Sequence, residues 1–316
     1  MVGFDRQNHH KWLSPQRRSF AHGFCLALTL LFLTLSLSRP AQAGYASFIM
    51  DADTGTVLHS QGADARNYPA SLTKMMTLYL AFEALEHGEI KLSTPMPVSA
   101  HATAQAPSRL GLGRGQTITM EDAILALVTK SANDVASVIA EALGGTEQKF
   151  AAKMTATAHR IGMAHTEFRN ASGLPNRGQV TTARDMATLA RAIIRHFPQY
   201  YHYFGTRQFQ WGNNVINTHN RVVLNYPGAD GLKTGYIAAS GFNLVTSAKR
   251  DGHRLIGVVL GGRTGKWRDQ HMADLLDSGF ARLTGTGGGK LTLRVPPPPA
   301  EDLEPGGSSQ KKSKKH

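Results

Sequence analysis

Cysteine is nearly absent from this chain of 316 residues, and its single cysteine, Cys25, lies in an apolar run near the N-terminus. A chain that loses this run has no thiol, which excludes disulfides, cysteine-ligated zinc and a cysteine nucleophile. Residues 44–316 also lack a His-Glu-x-x-His sequence and any closely spaced histidine pair, so no histidine-based metal site is predicted. We therefore expect the chemistry to come from hydroxyl, amine and amide side chains, with no metal and no other cofactor.

Long hydrophobic runs are lacking as well, because the apolar run at residues 24–35 is too short for a comfortable membrane span. It follows a basic region that ends at Arg18 and precedes the small-residue sequence Ala41-Gln42-Ala43. These three zones predict a secretory signal peptide, residues 1–43, that is cleaved after Ala43. We expect an exported, periplasmic protein, with peripheral contact to the membrane as the alternative.

Acidic residues are outnumbered, with 22 Asp and Glu against 35 Lys and Arg and a formal net charge of +13. Much of this excess lies at the two ends of the chain, which leaves about +6 on residues 44–284. The net charge therefore gives little support to a nucleic-acid partner, and none is expected.

The last part of the chain, residues 285–316, has a composition that does not bury a core. It contains a run of three glycines at 287–289, four prolines at 296–299 and a lysine-rich end at 311–315. We predict that it is a disordered tail. Its lysines predict a weak electrostatic contact with anionic wall polymers or lipid headgroups. The remaining residues, 44–284, are predicted to form one domain.

Hydropathy patterns predict strands at both ends of this domain and helices between them. Strands are expected at residues 46–50, 56–59, 232–237, 242–249 and 254–260. Helices are expected at residues 71–85, 120–130, 133–143, 146–162, 181–196 and 266–283. The first of these helices is apolar on nearly every side, which indicates a central, buried position. Together these elements predict an α/β fold, in which an antiparallel sheet built from both ends of the domain is covered by helices and the middle is mostly helical.

A serine and a lysine stand one helical turn apart at the start of that central helix, in the sequence Ser71-Leu72-Thr73-Lys74. A serine hydroxyl becomes nucleophilic when a nearby base takes its proton, and a desolvated lysine serves as such a base. The same spacing occurs by chance, as at Ser308 and Lys311 in the tail, where it has no meaning. An ordinary helix cap beside a solvated lysine is the competing interpretation, but an apolar helix makes an unpartnered ammonium costly.

Two further short motifs supply partners for this pair. Ser131-Ala132-Asn133 lies in the link between two predicted helices, where a hydroxyl relays a proton and an amide holds a lysine or a carbonyl. Simple capping of the next helix is the alternative. Lys233-Thr234-Gly235 lies on a predicted strand, where the lysine attracts a carboxylate and the glycine admits a ligand backbone. An ordinary strand lysine is the alternative there.

The three motifs, in this order, are the signature of penicillin-binding proteins and class A β-lactamases. From about Tyr45 to Leu283 the sequence resembles the serine-type D-alanyl-D-alanine carboxypeptidases, the low-molecular-mass penicillin-binding proteins of peptidase family S11. The resemblance includes residues 68–77, 168–175, 183–187 and 230–236. It implies a β-lactamase/DD-peptidase-like fold, peptidoglycan stem peptides as substrates, and β-lactam antibiotics as covalent inhibitors.

The resemblance also implies roles for the matching residues. Ser71 is expected to attack the carbonyl between two D-alanines, with Lys74 as base and Ser131 passing the proton to the leaving amine. Asn133 is expected to orient substrate and lysine, while Lys233 and Thr234 hold the terminal carboxylate. The backbone N–H groups of Ser71 and Tyr236 are expected to form the oxyanion hole, with Gly235 beside them.

Three other functions share parts of this pattern. DD-endopeptidases, which cut the cross-link between two stem peptides, use the same residues. A class A β-lactamase needs a glutamate to activate water, and Glu167 lies one residue too close to Asn170 for that loop. A catalytically silent peptidoglycan-binding protein would lack a catalytic side chain, and none is missing. Many relatives also carry a β-rich domain and a C-terminal amphipathic helix, which we do not find, so we expect no membrane anchor of that kind.

Overall fold

The computed structural model describes Gly3 and residues 44–285. The predicted signal peptide, 1–43, and the predicted tail, 285–316, otherwise lie outside the described residues, so both stay predictions. The strands are β1 (Ala46–Asp51), β2 (Val57–Gln61), β3 (Pro95–Pro97), β4 (Thr117–Thr119), β5 (Gln208–Trp211), β6 (Asn214–Asn217), β7 (Ala229–Ile237), β8 (Gly241–Arg250) and β9 (His253–Gly262). The helices are α1 (Lys74–Glu86), α2 (Ala100–Thr103), α3 (Met120–Thr129), α4 (Asn133–Gly144), α5 (Glu147–Arg160), α6 (Ala183–His196), α7 (Arg221–Asn225) and α8 (Gly265–Leu283). Two 3₁₀ turns cover Ala70–Thr73 and Tyr201–Gly205.

The main sheet joins the two ends of the described domain. Its five strands lie in the order β2-β1-β9-β8-β7, and each neighbouring pair is antiparallel. β1 pairs with β9 so that Phe48 lies opposite Val258. The predicted sheet from both chain ends is therefore confirmed, with the strand bounds shifted by one to three residues.

Alternating side chains of this sheet enter two separate cores. On one face Ile49, Leu255 and Val259 pack with apolar residues of α8. On the other face Phe48, Ile256 and Val258 pack with the helical middle of the chain. The sheet is thus covered by helices on both faces, and the predicted α/β fold is confirmed.

Helix α1 lies inside the larger core, because its residues from Lys74 to Phe82 are all buried. The sequence predicts a helix over 71–85, but the first turn is a 3₁₀ turn and α1 begins at Lys74. Ala70, just before Ser71, has a φ of 48°, in the left-handed region that an alanine seldom adopts. The 3₁₀ turn that begins at Ala70 thus occupies the place of the first predicted helical turn, and the regular helix starts three residues later than its apolar pattern.

Two of the other long helices begin at a threonine whose side chain caps the first turn. Thr119 accepts the N–H of Asp122 at the start of α3, and Thr182 accepts the N–H of Asp185 at the start of α6. The β3–β4 and β5–β6 hairpins and the short helices α2 and α7 were not predicted, because each is too short to produce a periodic pattern. Within residues 44–285, no helix is long and apolar enough to cross a membrane.

Candidate active site

Ser71 lies on the 3₁₀ turn that leads into α1, and two glycines let neighbouring backbone approach this turn closely. A Cβ at Gly235 of β7 would lie 3.0 Å from the Ser71 nitrogen. Gly173 has a φ of 88°, and a Cβ there would lie 1.9 Å from the carbonyl oxygen of Ala70. Gly235 thus packs closely against the Ser71 turn, while its predicted contact with a ligand backbone stays a prediction.

Lys74 is completely buried, with 0 % of its surface exposed, and its amine has three polar neighbours. Nζ donates to Asn133 Oδ1 at 2.7 Å and to the carbonyl oxygen of Ser172 at 2.5 Å. It lies 3.4 Å from Ser71 Oγ. All three neighbours are neutral groups, so none of them balances a charge on the amine.

This environment changes the protonation of Lys74. Burial lowers its pKa well below the usual value of 10.5, and the nearby Lys233 cation lowers it further. The carboxylates of Asp134 and Glu147 act in the opposite direction. A neutral amine that donates to Asn133 and Ser172 would keep one lone pair to accept from the Ser71 hydroxyl, whose Oγ lies 3.4 Å away. The arrangement is therefore that of a base beside a hydroxyl.

Asn133 is held in place by hydrogen bonds from both its side chain and its backbone. Its Nδ2 donates to the Ala106 carbonyl at 2.8 Å, and its backbone N–H donates to the Ser108 carbonyl at 2.7 Å. The N-cap of α4 is Ala132, which makes no side-chain cap. Simple capping by Asn133 is thus not what the structure shows, and its amide oxygen is fixed toward Lys74.

Ser131 stands just before α4 with a φ of 59°. Its Oγ is buried and has no hydrogen-bond partner among the described residues. An unpaired buried hydroxyl is unfavourable, and such groups often belong to sites that bind a ligand. Ser131 lines the same two cavities as Ser71.

The first cavity has a volume of about 470 Å³ and lies on the side of β7. Besides Ser71 and Ser131, it is lined by Thr234, Gly235, Tyr236 and Arg268. Lys233 is buried, and its Nζ donates to the Thr234 carbonyl at 3.0 Å. Burial and, next, the Arg268 cation lower the pKa of Lys233 to about 7. Thr234 and Arg268 line the cavity, whereas the buried Lys233 is not among its lining residues.

Arg268 was missed by the sequence analysis. Its guanidinium donates to the Asn243 carbonyl at 3.1 Å and to Asp269 Oδ1 at 2.7 Å. A signal was present, because Arg268 occupies the stripe of α8 that continues through the buried Met272, Leu275 and Leu276. A charged residue in an apolar helical stripe indicates a polar partner, because burying an unpaired charge is costly.

The second cavity, of about 380 Å³, is also lined by Ser71. Its lining includes the apolar side chains of Pro107, Leu174, Pro175 and Ile237. Tyr236 lines both cavities, contacts Phe242 in a tilted arrangement with ring centroids 4.4 Å apart, and is 55 % exposed. Ser71 thus stands between a basic cavity and a more apolar one.

Glu167, the residue that a β-lactamase interpretation requires, is directed elsewhere. Its carboxylate pairs with Arg169, and both side chains are about half exposed. It lines a different cavity, with residues of α5. No group of three metal-ligating side chains occurs among residues 44–285.

A serine at the entry of a buried central helix, beside an antiparallel sheet covered by helices, defines the β-lactamase/DD-peptidase class of folds. Within this class, the D-alanyl-D-alanine carboxypeptidase family, peptidase family S11, matches residues 34–264. The chain belongs to this family, as the motifs indicate.

Individual relatives agree with this assignment. The D-alanyl-D-alanine carboxypeptidase DacF of Bacillus subtilis is 34% identical over 251 residues, which cover 78% of this chain and 64% of the relative. The chain thus spans slightly less than two thirds of that protein's length. The structure of penicillin-binding protein 5 from Haemophilus influenzae has a TM-score of 0.73 at 31% identity, over 78% of this chain and 73% of that one. Penicillin-binding protein D2 from Listeria monocytogenes, solved in a cefotaxime-bound form, has a TM-score of 0.68 at 28% identity, over 74% and 96% of the two chains.

Proposed function

We propose that this protein is a serine D-alanyl-D-alanine carboxypeptidase that removes the terminal D-alanine of peptidoglycan stem pentapeptides. The observation that carries the proposal is the buried Lys74 amine, which has only neutral partners and lies 3.4 Å from Ser71 Oγ. A surface lysine would be protonated at neutral pH and would not accept a proton from serine. Membership of the S11 family supports the same activity.

The reaction follows from the positions of these groups. Lys74 Nζ takes the proton of Ser71 as Oγ attacks the carbonyl carbon between the two D-alanines. The N–H groups of Ser71 and Tyr236 are the proposed donors to the oxyanion. The C–N bond then breaks, and Ser131 passes the proton to the departing amine. Water then attacks the acyl carbon, the ester bond breaks, the shortened stem peptide leaves as a carboxylic acid, and the remaining proton of the water goes to Ser71 Oγ.

The terminal carboxylate of the substrate is assigned to the basic cavity. Thr234 offers a hydroxyl there and Arg268 a positive charge, and the buried Lys233 precedes Thr234 in β7. A carboxylate close to Lys233 favours the protonated amine, because opposite charges stabilise each other. Substrate binding is thus expected to raise the pKa of Lys233 above the value of about 7 that burial produces.

Binding of β-lactams is part of this proposal. The Listeria relative was crystallised with cefotaxime, which supports acylation of the matching serine in this chain. The test uses a labelled penicillin followed by peptide mass mapping, and we expect the label on Ser71. Ser71→Ala abolishes labelling if the proposal is correct, whereas a label that persists on this variant or maps elsewhere contradicts it. Release of D-alanine from a pentapeptide tests the peptidase activity itself.

Two neighbouring activities use the same nucleophile. Rapid β-lactam hydrolysis is not supported, because Glu167 is paired with Arg169 and faces another cavity. Cleavage of cross-links shares every step above and differs only in the size of the leaving amine.

Export to the periplasm is also proposed, on the sequence of residues 1–43, and the lysine-rich tail is proposed to contact anionic surfaces weakly. Cell fractionation tests both. We expect wall or membrane association that is released by high salt. Protein that stays with the membrane through a high-salt wash would contradict a purely electrostatic contact.

A further inference from the structure

A cavity of about 640 Å³ lies apart from the two cavities at Ser71, and in the described part of the chain it shares no lining residue with them. Glu83, which lines it, lies about 13 Å along α1 from Lys74 by the rise of the helix. We call it the α1–α6 cavity. Its charged and titratable lining residues are Tyr79, Glu83, Arg160, Arg191, Arg195 and His196.

Positive charge exceeds negative charge in this lining. Among the residues that the structure describes, three arginines and one carboxylate, that of Glu83, line the α1–α6 cavity. Glu83 is already bound, because its Oε1 accepts from Arg160 Nη2 at 2.6 Å. Two guanidinium charges are therefore left without a carboxylate in the lining, and they favour an anion that carries two negative charges.

Arg191 is held in place by backbone groups. Its Nε donates to the Ala52 carbonyl at 2.8 Å, and its Nη2 donates to the Asp53 carbonyl at 2.8 Å. Gly55, whose φ is 80°, leaves room for the guanidinium, since a Cβ there would lie 3.0 Å from Arg191 Nη1. Because carbonyls are neutral, these bonds fix the guanidinium and leave its charge unbalanced.

Arg195 is the cation of the cavity that is available to a ligand. It is exposed near the end of α6, and it forms neither an ion pair nor a side-chain hydrogen bond within residues 44–285. The Nδ1 of the next residue, His196, lies 2.9 Å from Tyr79 Oη, which leaves its Nε2 for another partner. A guanidinium offers five donors in a planar fork, which matches the oxygens of a phosphate group.

The helix dipole is a simpler explanation for some of these cations. Arg160 lies in the last turn of α5 and Arg195 in the last turn of α6, where a positive charge is favourable by itself. This effect does not explain why both helix ends line one cavity. Nor does it explain Arg191, which lies one turn before Arg195 and also lines the cavity.

We propose that the α1–α6 cavity binds a phosphate group, with Arg195 as the main donor and Arg160 and Arg191 as fixed positive charges. A phosphomonoester carries about −1.5 to −2 charges at neutral pH, in agreement with the two unbalanced guanidiniums. Arginine also forms bidentate hydrogen bonds with phosphate. The site takes no residue from the surroundings of Ser71, so the inference does not depend on the proposed function.

A soluble phosphate compound and a lipid headgroup with a terminal phosphate present the same group, and the test has one arm for each. Phosphorus NMR titration of the full protein with inorganic phosphate, in a phosphate-free buffer, measures the soluble form. We expect Arg195→Gln to lower the affinity at least tenfold, because a charge-assisted hydrogen bond is lost. Arg114→Gln, which removes an exposed arginine of the 111–115 loop, is the matched control and should bind within about twofold of wild type.

Flotation with vesicles measures the lipid form. Phosphatidylcholine vesicles with and without phosphatidate, whose headgroup is a phosphomonoester, are compared for the same three proteins. The lysine-rich residues 311–315 are unchanged in all of them, so a difference between wild type and Arg195→Gln reports on the cavity. Weaker flotation of Arg195→Gln on phosphatidate assigns the site to a lipid headgroup, and a response to inorganic phosphate alone assigns it to a soluble ligand.

Thermal unfolding of the three proteins shows that the exposed substitutions leave the fold intact. Wild-type protein that binds neither inorganic phosphate nor phosphatidate overturns the proposal. So does binding that is equal in wild type, Arg195→Gln and Arg114→Gln in both arms, because the phosphate then lies elsewhere. Penicillin labelling of Ser71 is expected to stay within about twofold in both variants, and its absence from wild type would contradict the proposed function without affecting the α1–α6 cavity.

Discussion

The carboxylate of Glu147 accepts the backbone N–H of Ala171 at 2.9 Å, one residue before the carbonyl that binds the Lys74 amine. The other oxygen of Glu147 accepts from Ser137 Oγ at 3.0 Å and lies 2.5 Å from His101 Nε2. Through these contacts α5 supports the loop that holds the proposed base. The same charge also raises the pKa of Lys74 against the effect of burial.

Glu147→Gln is expected to shift the pH profile of penicillin acylation. The glutamine side chain keeps an oxygen that accepts the Ala171 N–H, but it lacks the negative charge that favours protonated Lys74. The pKa of Lys74 then falls, the neutral base persists to lower pH, and the acid limb of the acylation rate moves to lower pH. Stopped-flow acylation across a pH series measures this.

Glu141→Gln on α4 is the control for that shift, because Glu141 contacts Ser99 and is not among the groups that change the pKa of Lys74. An acid limb that stays in place or moves to higher pH in Glu147→Gln would show that this carboxylate does not influence the base.

Lys74→Ala is expected to lower the acylation rate by about 100-fold or more, the usual effect of losing a general base. Asn133 and Ser172 each lose a donor, at about 1–3 kcal/mol per acceptor left unpaired. The fold should survive this cost, since no charge is left without a partner. Acylation kinetics and thermal unfolding check both points.

Lys153→Ala, which removes an exposed lysine of α5, is the matched control and should leave the acylation rate unchanged. A folded Lys74→Ala protein that reacts at a near-normal rate would remove Lys74 from the mechanism.

Asp230→Ala is expected to destabilise the protein because Asp230 balances the nearly buried Arg254. The two form a bidentate pair at 2.9 and 2.6 Å, and the side chain of Arg254 is 9% exposed. Without Asp230 the guanidinium keeps neutral partners only, Tyr201 and Ser247. We expect a loss of about 2 kcal/mol, less than for a fully buried pair because Asp230 is partly solvated. Urea unfolding measures it.

The comparison is Asp64→Ala, which breaks the bidentate but exposed pair with Arg184. Exposed pairs contribute about 0–1 kcal/mol, so this variant should unfold close to the wild-type midpoint. Equal losses in the two variants would mean that burial does not decide the contribution of the Asp230–Arg254 pair.

Lower pH is expected to destabilise the fold through two histidines beside β1, the half-buried His59 and the buried His271. Ser47 Oγ lies 2.8 Å from His59 Nε2, and Tyr45 Oη lies 2.5 Å from His271 Nε2. Burial lowers the pKa of both His59 and His271 below the unfolded value of 6.5. The unfolded chain therefore binds more protons below pH 6.5, and the free energy of unfolding decreases as the pH falls through and below that value.

Urea titrations at pH 7.5 and at lower pH measure this slope. The double variant His59→Gln, His271→Gln should flatten it, while His87→Gln, an exposed histidine of the α1 C-terminus, should leave it as in wild type. A slope that is the same in all three proteins would assign acid sensitivity to other groups.

The sequence predicted the sheet, the long helices and three motifs because each leaves a local pattern. The hydropathy of residues 254–260 and the cap at Thr119 depend on neighbours in the chain, so β9 and α3 were found within a few residues. The carbonyl of Ser172 was not identified as a partner of Lys74, because any residue offers a carbonyl and only the fold brings this one near. The turn at Ala70 was missed for a similar reason, since its backbone is packed against Gly173 from a distant loop.

The pairing of β1 with β9 also determines at which stage of folding the site around Ser71 is complete. Ser71 and Lys74 are synthesised early, yet Gly235 beside the nucleophile belongs to β7, which joins the sheet through β8 and β9. Contacts between such distant segments form late and slowly during folding. A partly synthesised chain therefore carries Ser71 in an incomplete pocket, and the proposed acylating activity begins only after the last strands have formed and paired.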